Sequence, residues 1–333
     1  MTEQALLKVR DLKVHFELQR SSLFGPKPFV HAVDGVSFDV PRGSTFGIVG
    51  ESGSGKSTTA LAVLRLVDIT AGSIELGDTH LSALQGEELR LARRRFQIIF
   101  QDPYSSLNPR TRAGDIVKEP LDLMDVGPAS ERRERVGALF AQVGLRPEQQ
   151  NLFPHQFSGG QRQRIGVARA LATNPELVVC DEPVSALDVA IQAQILNLLQ
   201  RLQDELGLTY LFISHDLGVV QHICDEIAVM YLGLIVEQAD RISLFTKPLH
   251  PYTWALLSAV PSARMRDRDR AKRIRLVGDP PSPIDPPAGC RFAGRCPFAQ
   301  ARCTVETPQL RTIFAGHRVA CHLVTDDGRA PHY

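Results

Sequence analysis

Apolar and polar positions along the chain alternate between strand-like and helix-like patterns. Strands are predicted where apolar residues recur at every second position or run without interruption, at 7–16 with a turn near Asp11, and at 36–40, 45–49, 96–100, 177–180, 209–214 and 227–231. Between 191 and 206 the apolar residues recur at helical spacing and predict one buried helix face. Because strands that alternate with helices are typical of a parallel sheet, the sequence predicts an α/β fold.

Two regions depart from this alternation. Residues 102–156 are charged, punctuated by proline and mostly helical in pattern, which predicts a helical subdomain inserted into the α/β core. Further along, 264–275 is dense in charge, five prolines follow in a linker-like run, and a short tail contains four cysteines. We therefore predict an α/β domain over 1–245 and a separate C-terminal extension over 246–333.

Charge and hydropathy limit the class of protein. The chain has 38 Lys and Arg against 37 Asp and Glu, so it lacks the basic excess of a nucleic-acid binder, and we expect no nucleic-acid partner. The start has no signal-peptide pattern, and the most apolar region, 223–236, is interrupted by Asp225 and Glu226 and is too short to span a bilayer. We expect a cytosolic protein without disulfides that reaches a membrane only through a partner.

A glycine-rich loop lies between the predicted strand 45–49 and a predicted helix. Residues 50–57 read Gly-Glu-Ser-Gly-Ser-Gly-Lys-Ser and fit the phosphate-binding pattern G-x-x-x-x-G-K-[ST]. Lys56 is expected to reach the β- and γ-phosphates of a nucleotide, and the Ser57 hydroxyl is expected to bind Mg²⁺. The residues assigned to the nucleotide are Gly50, Ser52, Gly53, Ser54, Gly55, Lys56, Ser57 and Thr58.

A second candidate motif is an apolar strand that ends in two carboxylates. Residues 177–182 read Leu-Val-Val-Cys-Asp-Glu. Asp181 is placed to hold Mg²⁺, and Glu182 is placed to orient and deprotonate the attacking water. A solvated acidic strand end is the alternative, which the phosphate-binding loop in the same chain disfavours. The two motifs together predict an ATPase that uses Mg²⁺, with Cys180 as a buried core residue.

Between these motifs, residues 157–161 read Phe-Ser-Gly-Gly-Gln, which resembles the signature sequence of ABC ATPases, usually Leu-Ser-Gly-Gly-Gln. The resemblance implies a P-loop NTPase core of the ABC type. In that family two ATPase domains pack head to tail, and each signature closes over the ATP of the other domain. The residues that this implies for the partner's nucleotide are Ser158, Gly159, Gly160 and Gln161.

Other family elements occur in order along the chain. Gln101 matches the glutamine that senses Mg²⁺ or water and couples to the membrane subunit. Residues 185–188, which end in Asp188, resemble the loop that contacts the opposite subunit, and His215 matches the histidine that contacts the γ-phosphate. The aromatic residue that stacks on adenine stays open among Phe16, Phe24 and Phe29.

The C-terminal region carries its own resemblance. His-Pro-Tyr-Thr at 250–253, Pro-Ser-Pro at 281–283, Gly-Cys at 289–290 and Arg-Cys-Pro at 295–297 resemble the extension of oligopeptide/dipeptide importers, most of all their F-type ATPase subunit. The resemblance implies a peripheral protein at the cytoplasmic face of the inner membrane that powers import of peptides or similar small solutes. It implies a second ABC ATPase subunit, expected to be a related protein although an identical copy stays open, together with two transmembrane permease subunits and, indirectly, an extracytoplasmic solute-binding protein.

Two other functions stay open. Relatives with the same extension also carry nickel, glutathione or sugars. A soluble ABC ATPase that acts on ribosomes or DNA is the rival of another class, although such proteins typically have two ATPase cores or a long coiled-coil insertion, and this chain has one core and no such insertion.

Four cysteines lie in the tail, at Cys290, Cys296, Cys303 and Cys321, separated by five, six and seventeen residues. Zinc sites more often show cysteine pairs spaced by two to four residues, and a small segment of this kind commonly needs a metal or cross-link to fold. Wider spacing suits an iron–sulfur cluster, as does the Cys-Pro pair at 296–297. We predict an iron–sulfur cluster, with zinc and unligated thiols as alternatives, and the resemblance implies that the cluster is of the [4Fe-4S] type.

Overall fold

The computed structural model describes residues 5–18, 27–260 and 274–331. The strands are β1 Ala5–Glu17, β2 Phe29–Pro41, β3 Thr45–Val49, β4 Ala71–Leu76, β5 Thr79–His80, β6 Phe96–Ile99, β7 Leu177–Asp181, β8 Thr209–Ser214, β9 Glu226–Tyr231, β10 Leu234–Asp240, β11 Arg311–Phe314 and β12 His317–Val319. The helices are α1 Lys56–Val63, α2 Gly86–Ala92, α3 Ala113–Leu123, α4 Arg132–Gln142, α5 Gly159–Leu171, α6 Val189–Leu206, α7 Leu217–Ile223, α8 Arg241–Thr246, α9 Pro251–Ser258 and α10 Ala301–Val305. Short 3-10 helices cover Leu81–Ala83, Arg93–Arg95, Pro147–Asn151, Pro154–Gln156 and Ala293–Arg295.

The chain divides into two compact units. The unit that we call the P-loop unit consists of Leu7–Asp39, Thr45–Glu75 and Ile213–Tyr333. The unit that we call the signature unit consists of Met1–Leu6, Val40–Ser44 and Leu76–Phe212. The domain boundary at residue 245 stays a prediction from sequence.

The P-loop unit contains two groups of paired strands. One has the order β2-β1-β4, and the other has the order β11-β12-β10-β9-β3. Strand β3 is buried along its whole length and pairs in parallel with β9, with Gly47 opposite Ile227. Strand β12 pairs antiparallel with β10, with Arg318 opposite Gln238. The C-terminal extension therefore adds two strands to the sheet that carries the phosphate-binding loop.

The signature unit has the strand order β8-β7-β6, with β6 and β7 parallel. Helices α3 and α4 lie within 102–156, where the sequence predicts a helical subdomain, and α3 packs against α5. Helix α6 buries Ile195, Leu198, Leu199 and Leu202, which confirms most of the predicted face. Leu206 is 47% exposed because the helix ends there, at Gly207 with a φ of 65°.

The predicted α/β core is confirmed, with one local difference. The segment predicted as two strands is one continuous strand, β1, and Asp11 sits within it at a φ of 44°. The backbone is irregular at Asp11, as the sequence predicts, but the irregularity does not end the strand. The strand continues because its alternate apolar residues stay buried on both sides of Asp11. Across the described ranges, no helix combines the length and apolarity that crossing a membrane requires.

Candidate functional site

The phosphate-binding loop joins β3 to α1 in the P-loop unit. Gly50, Gly53 and Gly55 have φ values of 156°, 78° and 104°, which residues with a Cβ rarely adopt. A Cβ on Gly50 would lie 2.2 Å from the carbonyl oxygen of Met230, and one on Gly55 would lie 2.2 Å from that of Ala32. Glycine is therefore required at both positions, as the phosphate-binding pattern predicts.

Lys56 begins α1 and is only 4% exposed. Its Nζ donates to the carbonyl oxygens of Gly50 at 2.9 Å and Glu51 at 2.8 Å, and lies 3.5 Å from Ser54 Oγ. These contacts hold the ammonium group against the loop backbone. The other residues assigned to the nucleotide lie on the same loop and helix start; Ser52, Gly53 and Ser57 are exposed and Thr58 is half-buried.

The two carboxylates at the end of β7 lie in the signature unit. The Nε2 of Gln101 donates to Glu182 Oε2 at 2.9 Å, so the structure brings two predicted catalytic residues together. Glu182 has a φ of 48°, an unfavourable backbone conformation of the kind that clusters at functional sites. Asp181 is half-buried beside it. Cys180 is fully buried, and burial raises the pKa of its thiol, as befits a core residue.

The signature sequence forms the start of α5. Ser158 Oγ accepts from the backbone N–H of Gln161 at 3.4 Å, and Gln161 Oε1 accepts from the Ser158 N–H at 3.0 Å. This reciprocal pair is a capping box, which fixes the helix start. A Cβ on Gly160 would lie 2.6 Å from Ile191 Cγ2, so the second glycine allows close packing against α6. Ser158 itself is exposed, and Gly159 is half-buried.

Asp188 and His215 are both exposed. The Asp188 carboxylate accepts from the Ile191 N–H at 3.0 Å and caps α6. His215 follows β8 directly, and its neighbour Asp216 caps α7 by accepting from the Gly218 N–H at 2.7 Å. The contacts of Asp188 and His215 with a nucleotide stay predictions.

The candidates for adenine stacking are only partly described. Phe16 and Phe29 lie on β1 and β2 and are 41% and 42% exposed, as a residue that stacks on a bound base requires. Phe24 lies outside the described residues. The assignment stays open.

Two residues that contact the phosphate-binding loop were not identified from the sequence. The backbone N–H of Glu51 donates to Tyr252 Oη at 2.8 Å, and Arg295 donates to the Glu51 carboxylate. Both lie in C-terminal segments whose sequence pattern indicates a family resemblance and predicts no contact with the loop. Their separation from Glu51, 201 and 244 residues, leaves no local signal of the contact.

The four tail cysteines lie in the P-loop unit as free thiols, Cys303 and Cys321 buried and Cys290 and Cys296 half-buried. Burial, and then the charge of neighbouring tail thiols, raises the pKa of Cys290, and the same causes raise the pKa of Cys296 and Cys321 to about 11. At each of these three cysteines, the backbone N–H two residues further on offsets part of this rise in pKa. Each of these three thiols therefore has other tail thiols, Cys303 among them, close enough to influence its pKa.

One other group could bind a cation. In the described part of the chain, His15, His31 and Asp34 offer ligand atoms within 4.8 Å of one another. Arg291 also bonds to the Asp34 carboxylate. Burial opposes the charge on Asp34, but hydrogen bonds from Arg291 and His15 outweigh it and lower its pKa. Arg291 supplies the positive charge that this carboxylate needs, so the group is explained as an ion pair.

Comparison with known proteins agrees with these motifs. Residues 33–185 match the family model described as ABC transporter, and residues 236–303 match the one described as oligopeptide/dipeptide transporter, C-terminal region. The oligopeptide transport ATP-binding protein AppF of Bacillus subtilis is 51% identical over 96% of this chain and 98% of its own length. A putative peptide import ATP-binding protein of Brucella ovis shows the same identity and coverage.

Solved structures agree in fold. A dimeric bacterial ABC transporter cassette has a TM-score of 0.62 and 28% identity, over 71% of this chain and 98% of its own. The cbiO1 protein of Clostridium perfringens, part of the cbiONQ transporter complex, has a TM-score of 0.63 and 26% identity, over 74% of this chain and 92% of its own. The chain belongs to the ABC transporter family, as an ATP-hydrolysing subunit that carries the oligopeptide/dipeptide transporter C-terminal region.

Proposed function

We propose that this ATPase powers the import of peptides or similar small solutes from the cytoplasmic face of the cell membrane. The observation that supports it is the combination, in one chain, of the ABC ATPase motifs with the oligopeptide/dipeptide transporter C-terminal region. Relatives named for peptide import or oligopeptide transport align with 96% of the chain, extension included. The C-terminal extension, more than the ATPase motifs, therefore supports a role in peptide import over other ABC transporter functions.

In this proposal the residues act on ATP–Mg²⁺ as the motifs predict. The loop N–H groups and Lys56 bind the phosphates; Ser57 and Asp181 would hold Mg²⁺, with Gln101 sensing the ion or its water. Bound Mg²⁺ would neutralise charge on the phosphates. Glu182 orients the attacking water and accepts its proton. The 2.9 Å contact between Gln101 and Glu182 supports a shared place for both beside the reacting water.

A second ATPase subunit completes the proposed machine. Ser158–Gln161 and Asp188 would serve the nucleotide of that subunit, and His215 would contact the γ-phosphate. The dimeric state of a similar cassette supports such a pairing. We propose a related, non-identical ATPase as the partner, with two transmembrane permease subunits that receive a solute-binding protein's cargo. Closure of the ATPase pair on ATP would drive the permeases, and hydrolysis would reset them.

The test is affinity purification of the tagged chain from native membranes, followed by uptake measurements in reconstituted vesicles. We expect two multi-span membrane proteins and a second ATPase to co-purify, and ATP-dependent uptake of labelled short peptides. Uptake of nickel, glutathione or a sugar instead would change the cargo and leave the transporter assignment intact. Co-purification with ribosomes or DNA, without membrane proteins, would support the soluble rival.

We also propose that the tail cysteines ligate a [4Fe-4S] cluster with a structural role. One observation supports this: Cys290, Cys296 and Cys321 each have other tail thiols close enough to raise their pKa, with Cys303 among those neighbours in all three cases. Cys290 and Cys303 are also tied directly, because the N–H of Cys290 donates to the carbonyl oxygen of Cys303 at 2.8 Å. The ligands would be Cys290, Cys296, Cys303 and Cys321, and the cluster would cross-link a small segment.

Anaerobically purified protein is expected to be brown, to absorb broadly near about 400 nm and to contain about four irons per chain. Cys303→Ser should remove most of the iron. Cys224→Ala is the matched control, because Cys224 is a buried thiol outside the tail, and it should keep the iron. A colourless protein whose tail thiols all alkylate in the folded state would contradict the iron–sulfur cluster. One zinc ion per chain in place of iron would show that the cysteines form a zinc site instead.

A further inference from the structure

Arg295 of the C-terminal extension contacts Glu51, the second residue of the phosphate-binding loop. Its Nη1 donates to Glu51 Oε2 at 2.7 Å, and its Nη2 donates to Oε1 at 3.2 Å. Two parallel hydrogen bonds between a guanidinium and a carboxylate fix orientation as well as distance. The Arg295 side chain is 9% exposed and that of Glu51 33%, so solvent screens this pair less than a surface ion pair.

The same extension also holds the backbone of Glu51. The Glu51 N–H donates to the hydroxyl of Tyr252, which is fully buried on α9. Tyr252 packs with its ring centroid 4.7 Å from Tyr231 and 5.4 Å from Phe292. The guanidinium carbon of Arg295 lies 5.9 Å from the centre of the Tyr231 ring. Glu51 is thus fixed by its side chain and its backbone against one aromatic cluster.

Glu51 in turn contacts Lys56, the lysine that is proposed to bind the nucleotide phosphates. Its carbonyl oxygen accepts from Lys56 Nζ at 2.8 Å. The rest of the loop is rich in glycine and has few side chains of its own to restrain it, so the anchored residue limits the conformations that the loop samples. A binding loop that is held in one conformation before the ligand arrives loses less entropy on binding.

We propose that Arg295 is a positioning residue for nucleotide binding: through Glu51 it holds the phosphate-binding loop and Lys56 in the arrangement that receives ATP. The C-terminal extension then sets the affinity of the ATPase for its nucleotide. Because Arg295 directly precedes Cys296, any change that displaces this cysteine would also reach the loop. The inference rests on the proposed role of the loop in binding ATP.

The test compares Arg295→Ala and Glu51→Gln in the full chain, with the dissociation constant of Mg-ATP, KM and kcat measured for each. We expect the dissociation constant and KM to rise about tenfold, a factor equivalent to about 1.4 kcal/mol, with kcat at saturating ATP within about twofold of wild type. The double variant should be no worse than the single ones, since both remove one interaction. Arg295→Lys should lie between, because lysine keeps the charge without the planar fork.

Arg302→Ala is the matched control. Arg302 is an exposed arginine of the same extension that pairs with Glu306 at 2.6 Å, and its loss should leave Mg-ATP affinity unchanged. Glu51→Gln keeps the test decisive if Arg295→Ala misfolds, because it leaves the extension intact.

Lys56→Ala distinguishes a failure of the positioning role of Arg295 from a failure of the loop's proposed role in binding ATP. If Lys56→Ala loses ATP binding while Arg295→Ala and Glu51→Gln stay within about twofold of wild type, the positioning role is wrong. If Lys56→Ala itself binds ATP normally, the proposed role of the loop is wrong.

Discussion

Glu182→Gln is expected to lower the ATP hydrolysis rate by about a hundredfold or more, because general-base catalysis commonly contributes about 10²–10⁴-fold. The substitution is close to isosteric and leaves an oxygen that can accept from Gln101, so ATP affinity should stay near that of wild type. The measurement is the steady-state rate of phosphate release at saturating Mg-ATP, alongside a nucleotide titration. A rate near wild type would show that Glu182 is not the base.

Glu205→Gln is the matched control, because Glu205 is an exposed carboxylate on α6 that pairs with Arg201, and the rate should not change. The blocked variant should also trap the ATPase pair, since closure precedes hydrolysis in the proposed cycle. In gel filtration with Mg-ATP, Glu182→Gln and its partner subunit should elute together as a stable complex. Ser158→Arg in both subunits should prevent that complex, because it fills the proposed contact with the other subunit's nucleotide.

Glu237→Ala is expected to lower the free energy of unfolding by about 3 kcal/mol or more. The Glu237 carboxylate is fully buried on β10 and accepts from the N–H groups of Leu249 at 2.6 Å and His250 at 2.9 Å. Its Oε1 also lies 2.8 Å from Nε2 of His317 on β12. Removing the carboxylate leaves several buried polar groups without their acceptor, and each such group costs about 1–3 kcal/mol.

The measurement is urea unfolding of the full chain. Glu237→Gln keeps an acceptor oxygen and should lose less stability than Glu237→Ala. Glu306→Ala removes an exposed carboxylate of the same extension and should leave the unfolding midpoint unchanged. An unchanged midpoint for Glu237→Ala would mean that the buried carboxylate does not hold the extension to the core.

The features that could be predicted from sequence are those formed by residues close together along the chain. Strand β3, the glycine-rich loop and α1 are contiguous, and their glycines meet backbone that leaves no room for a Cβ. Strand β7 and its carboxylates are equally local. The contact of Arg295 with Glu51 spans 244 residues, and that of His317 with Glu237 spans 80. Pattern along the chain carries no information on which distant charges meet, so these contacts needed the fold.

Some residues assigned to the nucleotide also have a local structural role. Ser158 and Gln161 form a capping box, and Asp188 caps α6. The capping box can be predicted from sequence, because a serine followed three residues later by glutamine at a helix start is the usual capping-box pattern. The two roles are compatible: a side chain that caps a helix stands at the end where backbone N–H groups attract anions.

The pairing of β12 with β10 has a consequence during synthesis. Strand β10 leaves the ribosome about 80 residues before its partner, so at about 5–20 residues per second its edge stays open for roughly 4–16 s. An open edge is a template for strands of other chains. Glu237 lies in the middle of this edge, and an inward-pointing carboxylate opposes pairing with any strand that offers it no donor. The Glu237 carboxylate, which also accepts from Leu249 and His250, therefore disfavours pairing of this edge with a foreign strand before β12 has been synthesised.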